Sequence, residues 1–222
     1  MIKETLLLLF LAFNAIALEP FKAEYTVFKD GKKIGTSSIE LSYLAPFYTI
    51  TDKTSGTHGM ASFLGFKRSE VSMFTENEGD YSPESYQMNQ KVAFNKRQSE
   101  YQIDQDKHQA IGNHKGKKWQ LPVPENYSTP NLVSLNLARD ICAGKTNNLK
   151  YQVLKDGKIK DYSFTIVSQK DGIIEVDKHH SKPERVTKTW LDTRQNCIPV
   201  KTYHVEEDED PLESKLIKVT KL

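Results

Sequence analysis

From Phe21 onward the chain alternates. Phe21, Ala23, Tyr25 and Val27 are apolar, and Lys22, Glu24 and Thr26 between them are polar. A period of two puts the apolar set on one side of a strand. Asp30-Gly31 follows as a tight-turn dipeptide. The returning segment alternates again, with Ile39, Leu41 and Tyr43 against Ser38, Glu40 and Ser42. A hairpin is predicted here, and a third strand over 47–53. Further strands are predicted over 68–75, 83–91, 96–104, 109–114 and 119–123. After a helix they resume over 149–153, 162–166, 173–179, 185–191, 198–202 and 212–221, with turns at Asp156-Gly157 and Asp171-Gly172. About a dozen short strands at spacings near ten residues point to a large antiparallel sheet, curled or incompletely closed into a barrel. The connections are too short for parallel crossovers nearly everywhere.

One stretch keeps the helical period. Val133, Leu137 and Ile141 recur four apart, joined by Leu132, Leu135 and Ala138. Thr129 is placed to cap this helix, Pro130 fits its first turn, and Gly144 ends it. Its span is predicted as about 130–143. Ser55 to Phe66 keeps neither period. Its glycines Gly56, Gly59 and Gly65 are mixed with Met60, Phe63, Leu64 and Phe66, so a short helix and an apolar loop both fit. The segments starting at Tyr25 and Tyr151 resemble each other through the turn (YTVFKDGK and YQVLKDGK). The likeness fades beyond it, as for two hairpins solving one turn problem.

The N-terminus carries a different signal. Lys3 and Glu4 precede an apolar run, Leu6 to Phe13, and Ala15-Ile16-Ala17 offers small residues at the positions a signal peptidase reads. The run is shorter than the ~20 residues of a spanning helix. A signal peptide over 1–17 and a single soluble β-rich domain over 18–222 are expected, with no transmembrane anchor after cleavage. That domain is about 205 residues, 222 minus 17. The two cysteines, Cys142 and Cys197, are then expected to pair, because exported chains meet an oxidising environment. Unpaired thiols in the core are the alternative.

Charge excludes one class of function. Lys and Arg number 31 against 29 Asp and Glu, so no basic excess marks a nucleic-acid binder. Glu175, Asp177 and His179 lie two apart on one strand face, yet His179 and His180 point to opposite faces, and a solvated surface is the better reading than a metal site. Arg68, Glu70 and Ser72 also share a face, best read as an Arg–Glu pair on the sheet. No nucleophile elbow or metalloprotease spacing occurs. The sequence points to no catalytic residue, metal or cofactor. Met60, Phe63, Leu64 and Phe66 are the candidate ligand-binding residues, lining or covering a cavity; packing as a plug at one barrel end is the competing role.

Several segments also stand in a recognisable order: Phe21-x-Ala23-x-Tyr25, Gly31 and Gly35, Arg68-Ser69-Glu70-x-Ser72-x-Phe74, Pro83-x-x-Tyr86, Trp119-x-Leu121-Pro122, the capped helix, Trp190-Leu191 and Ile198-Pro199-Val200. Together they resemble the bacterial periplasmic family known as domain of unknown function 3108, across nearly the whole chain after the export signal. The departure is after Phe94, where Asn95 and Lys96 stand in place of the family's acidic and aromatic pair. The resemblance implies a periplasmic protein of a Gram-negative envelope, without a common activity. It also implies an architecture similar to carriers built as unclosed barrels, such as the lipoprotein-sorting proteins. A non-enzymatic binding or envelope-maintenance role follows, holding a lipid, another apolar ligand or an extended peptide on the concave face of the sheet. A hydrolase of an envelope polymer and a scaffold binding a partner protein by a strand edge are the alternatives.

Overall fold

The computed structural model describes residues 18–222; the export signal read at 1–17 lies outside the described residues. Fourteen strands form one sheet. The first eight are β1 (Phe21–Lys29), β2 (Lys32–Leu44), β3 (Phe47–Gly56), β4 (Lys67–Asn77), β5 (Asp80–Val92), β6 (Asn95–Asp104), β7 (Gln109–His114) and β8 (Lys117–Pro122). After helix α2 (Leu132–Cys142) come β9 (Leu149–Lys155), β10 (Lys158–Lys170), β11 (Ile173–Lys178), β12 (Val186–Asp192), β13 (Ile198–Val205) and β14 (Leu212–Lys221). A short helix, α1 (Gly59–Phe63), interrupts the β3–β4 connection.

The spatial order is β8-β7-β6-β5-β4-β3-β2-β1-β14-β13-β12-β11-β10-β9, and every neighbouring pair is antiparallel. Two meanders are thus joined through β1 and β14. The free edges, β8 and β9, face each other across a seam without a ladder between them. The expected fold class stands: a mainly β, large curled antiparallel sheet, an incomplete barrel, with one main helix.

Register decides which face is interior. Leu41, Ile50 and Ser72 stand opposite one another on β2, β3 and β4, and Ser72 opposes Tyr86 on β5. These side chains turn inward and meet α2 through Leu132. Leu137 and Ile141 pack against Leu149, Ile174, Val176 and Leu191 of the second meander. The apolar half of the concave face is therefore occupied by α2.

The helix runs 132–142, within the predicted 130–143, with Asn131 at its N-cap position; Thr129 still serves its start, its Oγ1 accepting from Leu132 N at 3.1 Å. Ser72 Oγ, 2.6 Å from Thr129 Oγ1, donates to Asn131 Oδ1, and Asn131 Nδ2 donates to Ile50 O at 3.1 Å. This buried polar knot fixes the helix start to the sheet wall. At the other end Gly144 takes a left-handed φ of 84°. There Cys142 is bonded to Cys197 at the start of β13, a separation of 55 residues. No helix among the described residues is long and apolar enough to cross a membrane.

Candidate functional site

The seam is closed at one end and open at the other. At the closed end the β9–β10 turn, Asp156-Gly157, meets the first meander. Arg97 Nη2 donates to Asp156 Oδ2 at 2.8 Å, and His114 Nδ1 lies 3.1 Å from Asp156 Oδ1. Tyr101 OH donates to Leu154 O at 3.0 Å. The Trp119 ring covers Gly157, whose φ is 73°; a Cβ there would sit 3.0 Å from the indole. The turn chemistry that makes Asp-Gly a hairpin signal thus also makes room for Trp119. Among the described residues, this end is held through side chains.

At the open end the chain from Val123 to Ser128 leaves β8 and passes inside. Ser128 bonds β9 in a single parallel bridge, its N–H donating to Gln152 O at 2.8 Å and its carbonyl accepting from Leu154 N at 2.9 Å. A cleft of about 540 Å³ opens beside it. Tyr81, His108, Tyr127, Asn136, Arg139 and Tyr151 contribute to its lining, and Lys150 to Gln152 of β9 form one wall. Its volume falls in the range of ligand sites.

The walls are braced by polar contacts. Arg139 donates to Gly79 O, lies 3.5 Å from Asp80 and stacks 5.0 Å over the Tyr81 ring. It also donates to Asp140 at 2.8 Å, which in turn accepts from Tyr151 OH at 2.9 Å and Lys145 at 3.1 Å. Burial opposes ionisation of Asp140, but the bonds from Arg139, Lys145 and Tyr151 outweigh it and hold the carboxyl below its ordinary range. Burial pushes the Tyr81 hydroxyl up to about 12 against the pull of Arg139, so it is a neutral hydrogen-bonding group. Tyr127 OH donates to Pro83 O at 3.2 Å.

Toward the closed end the concave face is polar. Arg68 Nε donates to Glu70 Oε1 at 2.7 Å, and Tyr86 OH donates to Glu70 Oε2 at 2.7 Å. The Arg–Glu pair read from the 68–70–72 spacing is present, and Ser72 belongs to the knot under α2. Asp52, opposite Glu70 on β3, has an Oδ1 that is buried without a hydrogen-bond partner. Burial raises its carboxyl to about 8; Glu70 adds to this and Arg68 opposes it. Across the interior, Lys178 lies 3.1 Å from the Tyr162 ring centroid. Burial, with the like charges of Lys155, Arg185 and Lys160, lowers Lys178 to about 8.

The sequence candidates lie elsewhere. Met60 and Phe63 project from α1 into solvent, while Leu64 and Phe66 are half-buried beside it. All four sit on the rim at the closed end, far along the strands from the seam cleft. Glu175 and Asp177 both contact Lys188, at 2.9 and 3.6 Å, while His179 pairs with Thr165. No group of three His, Cys, Asp or Glu placed to hold a metal occurs among the described residues. The cleft residues come from five separate elements and share no local motif, so sequence reading missed them.

No protein family and no curated protein matches this sequence. A solved structure does: the β-barrel-like protein of the domain of unknown function DUF1849 from Brucella abortus, at 13% identity and a TM-score of 0.59, covering 92% of this chain and 98% of that one. At that identity the likeness is one of fold alone.

Proposed function

We propose that this chain is an exported, non-catalytic binding protein of the bacterial envelope that takes an extended polypeptide segment in the cleft of its open seam. Placement in the periplasm, and membership of the family of domain of unknown function 3108, are parts of the same proposal. The observation that carries it is the junction of a tyrosine-lined cleft with a strand edge that Ser128 fills at a single bridge and β8 leaves unpaired. Tyr81, Tyr127 and Tyr151 face the cleft, and along the outer edge of β9 Ser128 makes the bonds to Gln152 O and Leu154 N. An extended chain laid beside that bridge, toward the start of β9, gains main-chain bonds from the rest of the edge and side-chain contacts from rigid aromatic rings.

An acyl chain has less to gain. The apolar half of the concave face is filled by α2, and the cleft mixes tyrosines with Arg139, His108 and Asn136. The disulfide between Cys142 and Cys197 supports export, since such bonds persist in oxidising compartments.

The test is native mass spectrometry of the protein purified from its own envelope. A peptide mass retained by the wild type and lost from Gln152→Pro and Tyr127→Ala, both checked for folding by circular dichroism, supports the assignment. A wild type that flies without a ligand, or a retained lipid in place of a peptide, removes it.

A further inference from the structure

The rim at the closed end carries an amphipathic edge unrelated to the seam cleft. Two connections project there side by side, α1 and the β5–β6 turn, joined by a bond from Ala93 N to Leu64 O at 2.6 Å. Their outermost side chains are apolar: Met60 is 67% exposed, Phe63 82% and Phe94 102%. Lone exposed apolar residues are common, but three at the tips of two joined turns form a local feature.

Behind these tips stands a row of cations. Lys67, Lys91 and Lys96 face one another in register on β4, β5 and β6. Like charges placed directly opposite are unfavourable in a sheet. The next turn along the rim adds Lys115, Lys117 and Lys118. All six lysines are exposed, and among the described residues no carboxylate lies within 4.0 Å of any of them. Segments 57–67, 91–97 and 114–118 hold no Asp or Glu; the acidic run Glu206 to Asp210 lies farther round the same end, beside the β1–β2 turn, where Glu206, Glu207 and Asp210 pair with Arg185, Lys182 and Lys29.

We infer that this rim docks on the surface of a bilayer containing anionic phospholipid. Apolar side chains at the tips reach the acyl boundary, while the lysine row stands at headgroup level, where each cation near an anionic surface strengthens binding about fivefold. The uncompensated charge selects this occupant over a second copy of the chain, which would set the same lysines against each other. The inference is independent of the seam cleft, which lies at the opposite end of the strands.

Co-sedimentation with vesicles tests it. The probes are vesicles of phosphatidylethanolamine and phosphatidylglycerol at a 7:3 ratio, and vesicles of phosphatidylcholine alone. The wild type should bind the anionic vesicles and weaken as salt rises. Phe63→Ser with Phe94→Ser should lose at least tenfold in partitioning, and Lys67→Gln with Lys91→Gln and Lys96→Gln about a hundredfold. Phe94→Trp should shift its emission to the blue on anionic vesicles and be quenched by brominated acyl chains. Every altered side chain is exposed, so unchanged thermal melting separates lost docking from lost folding. Failure of the wild type to bind overturns the inference, as does unaltered binding by the double Phe variant. Vesicle-independent self-association that the same variant abolishes overturns it too.

Discussion

Asp52→Asn tests whether the polar interior is placed as described. In the folded chain the carboxyl of Asp52 sits opposite Glu70 with one oxygen buried and unbonded, and its proton affinity rises from an ordinary 3.8 to about 8. Between those values the folded protein holds a proton that the unfolded chain has released. Stability is therefore lost as pH rises through this window, the reverse of the usual salt-bridged carboxylate. At ~1.4 kcal/mol for each tenfold in proton affinity, the ceiling is about 5–6 kcal/mol. Water reaching part of the side chain brings the expected figure to roughly 2–3 kcal/mol.

The assay is urea unfolding at intervals from about pH 3.5 to pH 8. Wild type and Asp52→Asn should be alike below about pH 4, near the unfolded carboxyl's own value, and diverge above it until the variant leads by about 2–3 kcal/mol at pH 8. Other titrating groups, including His180, whose burial lowers its pKa, are common to both proteins and cancel in the difference. Parallel stability curves across the range would refute the buried, uncompensated carboxyl and with it the inward orientation of this face.

Four further outcomes follow from named contacts. Lys178→Met should stabilise the protein at pH 7 by about 1 kcal/mol after solvent screening, an advantage that fades between pH 8 and 10.5 as the wild-type lysine's neutral form becomes free of cost, read by the same urea series. Cys142→Ser with Cys197→Ser should cost about 4 kcal/mol by the entropy of a 55-residue loop, measured as a lower denaturation midpoint. Asn131→Ala should cost roughly 2 kcal/mol, because Ser72 Oγ and Ile50 O lose a buried partner. Gly157→Val should cost ~2 kcal/mol or more, since it strains a positive φ and displaces the Trp119 ring; quenching of Trp119 by acrylamide should rise with it.

What the sequence reveals follows from how local each feature is. The strands, the Asp-Gly turns and α2 with Thr129 serving its start each depend on neighbours within a few positions, and each is present. The disulfide was legible from compartment and count, as only two cysteines exist. Ser55 to Phe66 was ambiguous because α1 is five residues long, too short for a helical period to register. Asp52 reads as an ordinary polar strand position; its burial opposite Glu70 depends on the register of β3 against β4, which no local pattern encodes. The 68–70–72 spacing was the one trace of that interior. The seam cleft was illegible, since Tyr81, Tyr127 and Tyr151 meet only after both meanders have curled.

The opening of the seam has a cause in the chain itself. A sheet of this many strands encloses more space than its own side chains fill, and here the β8–β9 connection enters that space as α2. Its incoming segment passes between the two edges, so Ser128 takes the bonds on β9 that β8 would otherwise make. At the far end the edges approach, but Arg97, His114, Tyr101 and Trp119 hold them through side chains. Widening the seam therefore breaks a few side-chain contacts and no ladder. Anywhere else on the sheet the same displacement would break a row of backbone bonds, each costing about 1 kcal/mol net. The seam is the place where this fold can accept a strand-like guest at the least cost to itself.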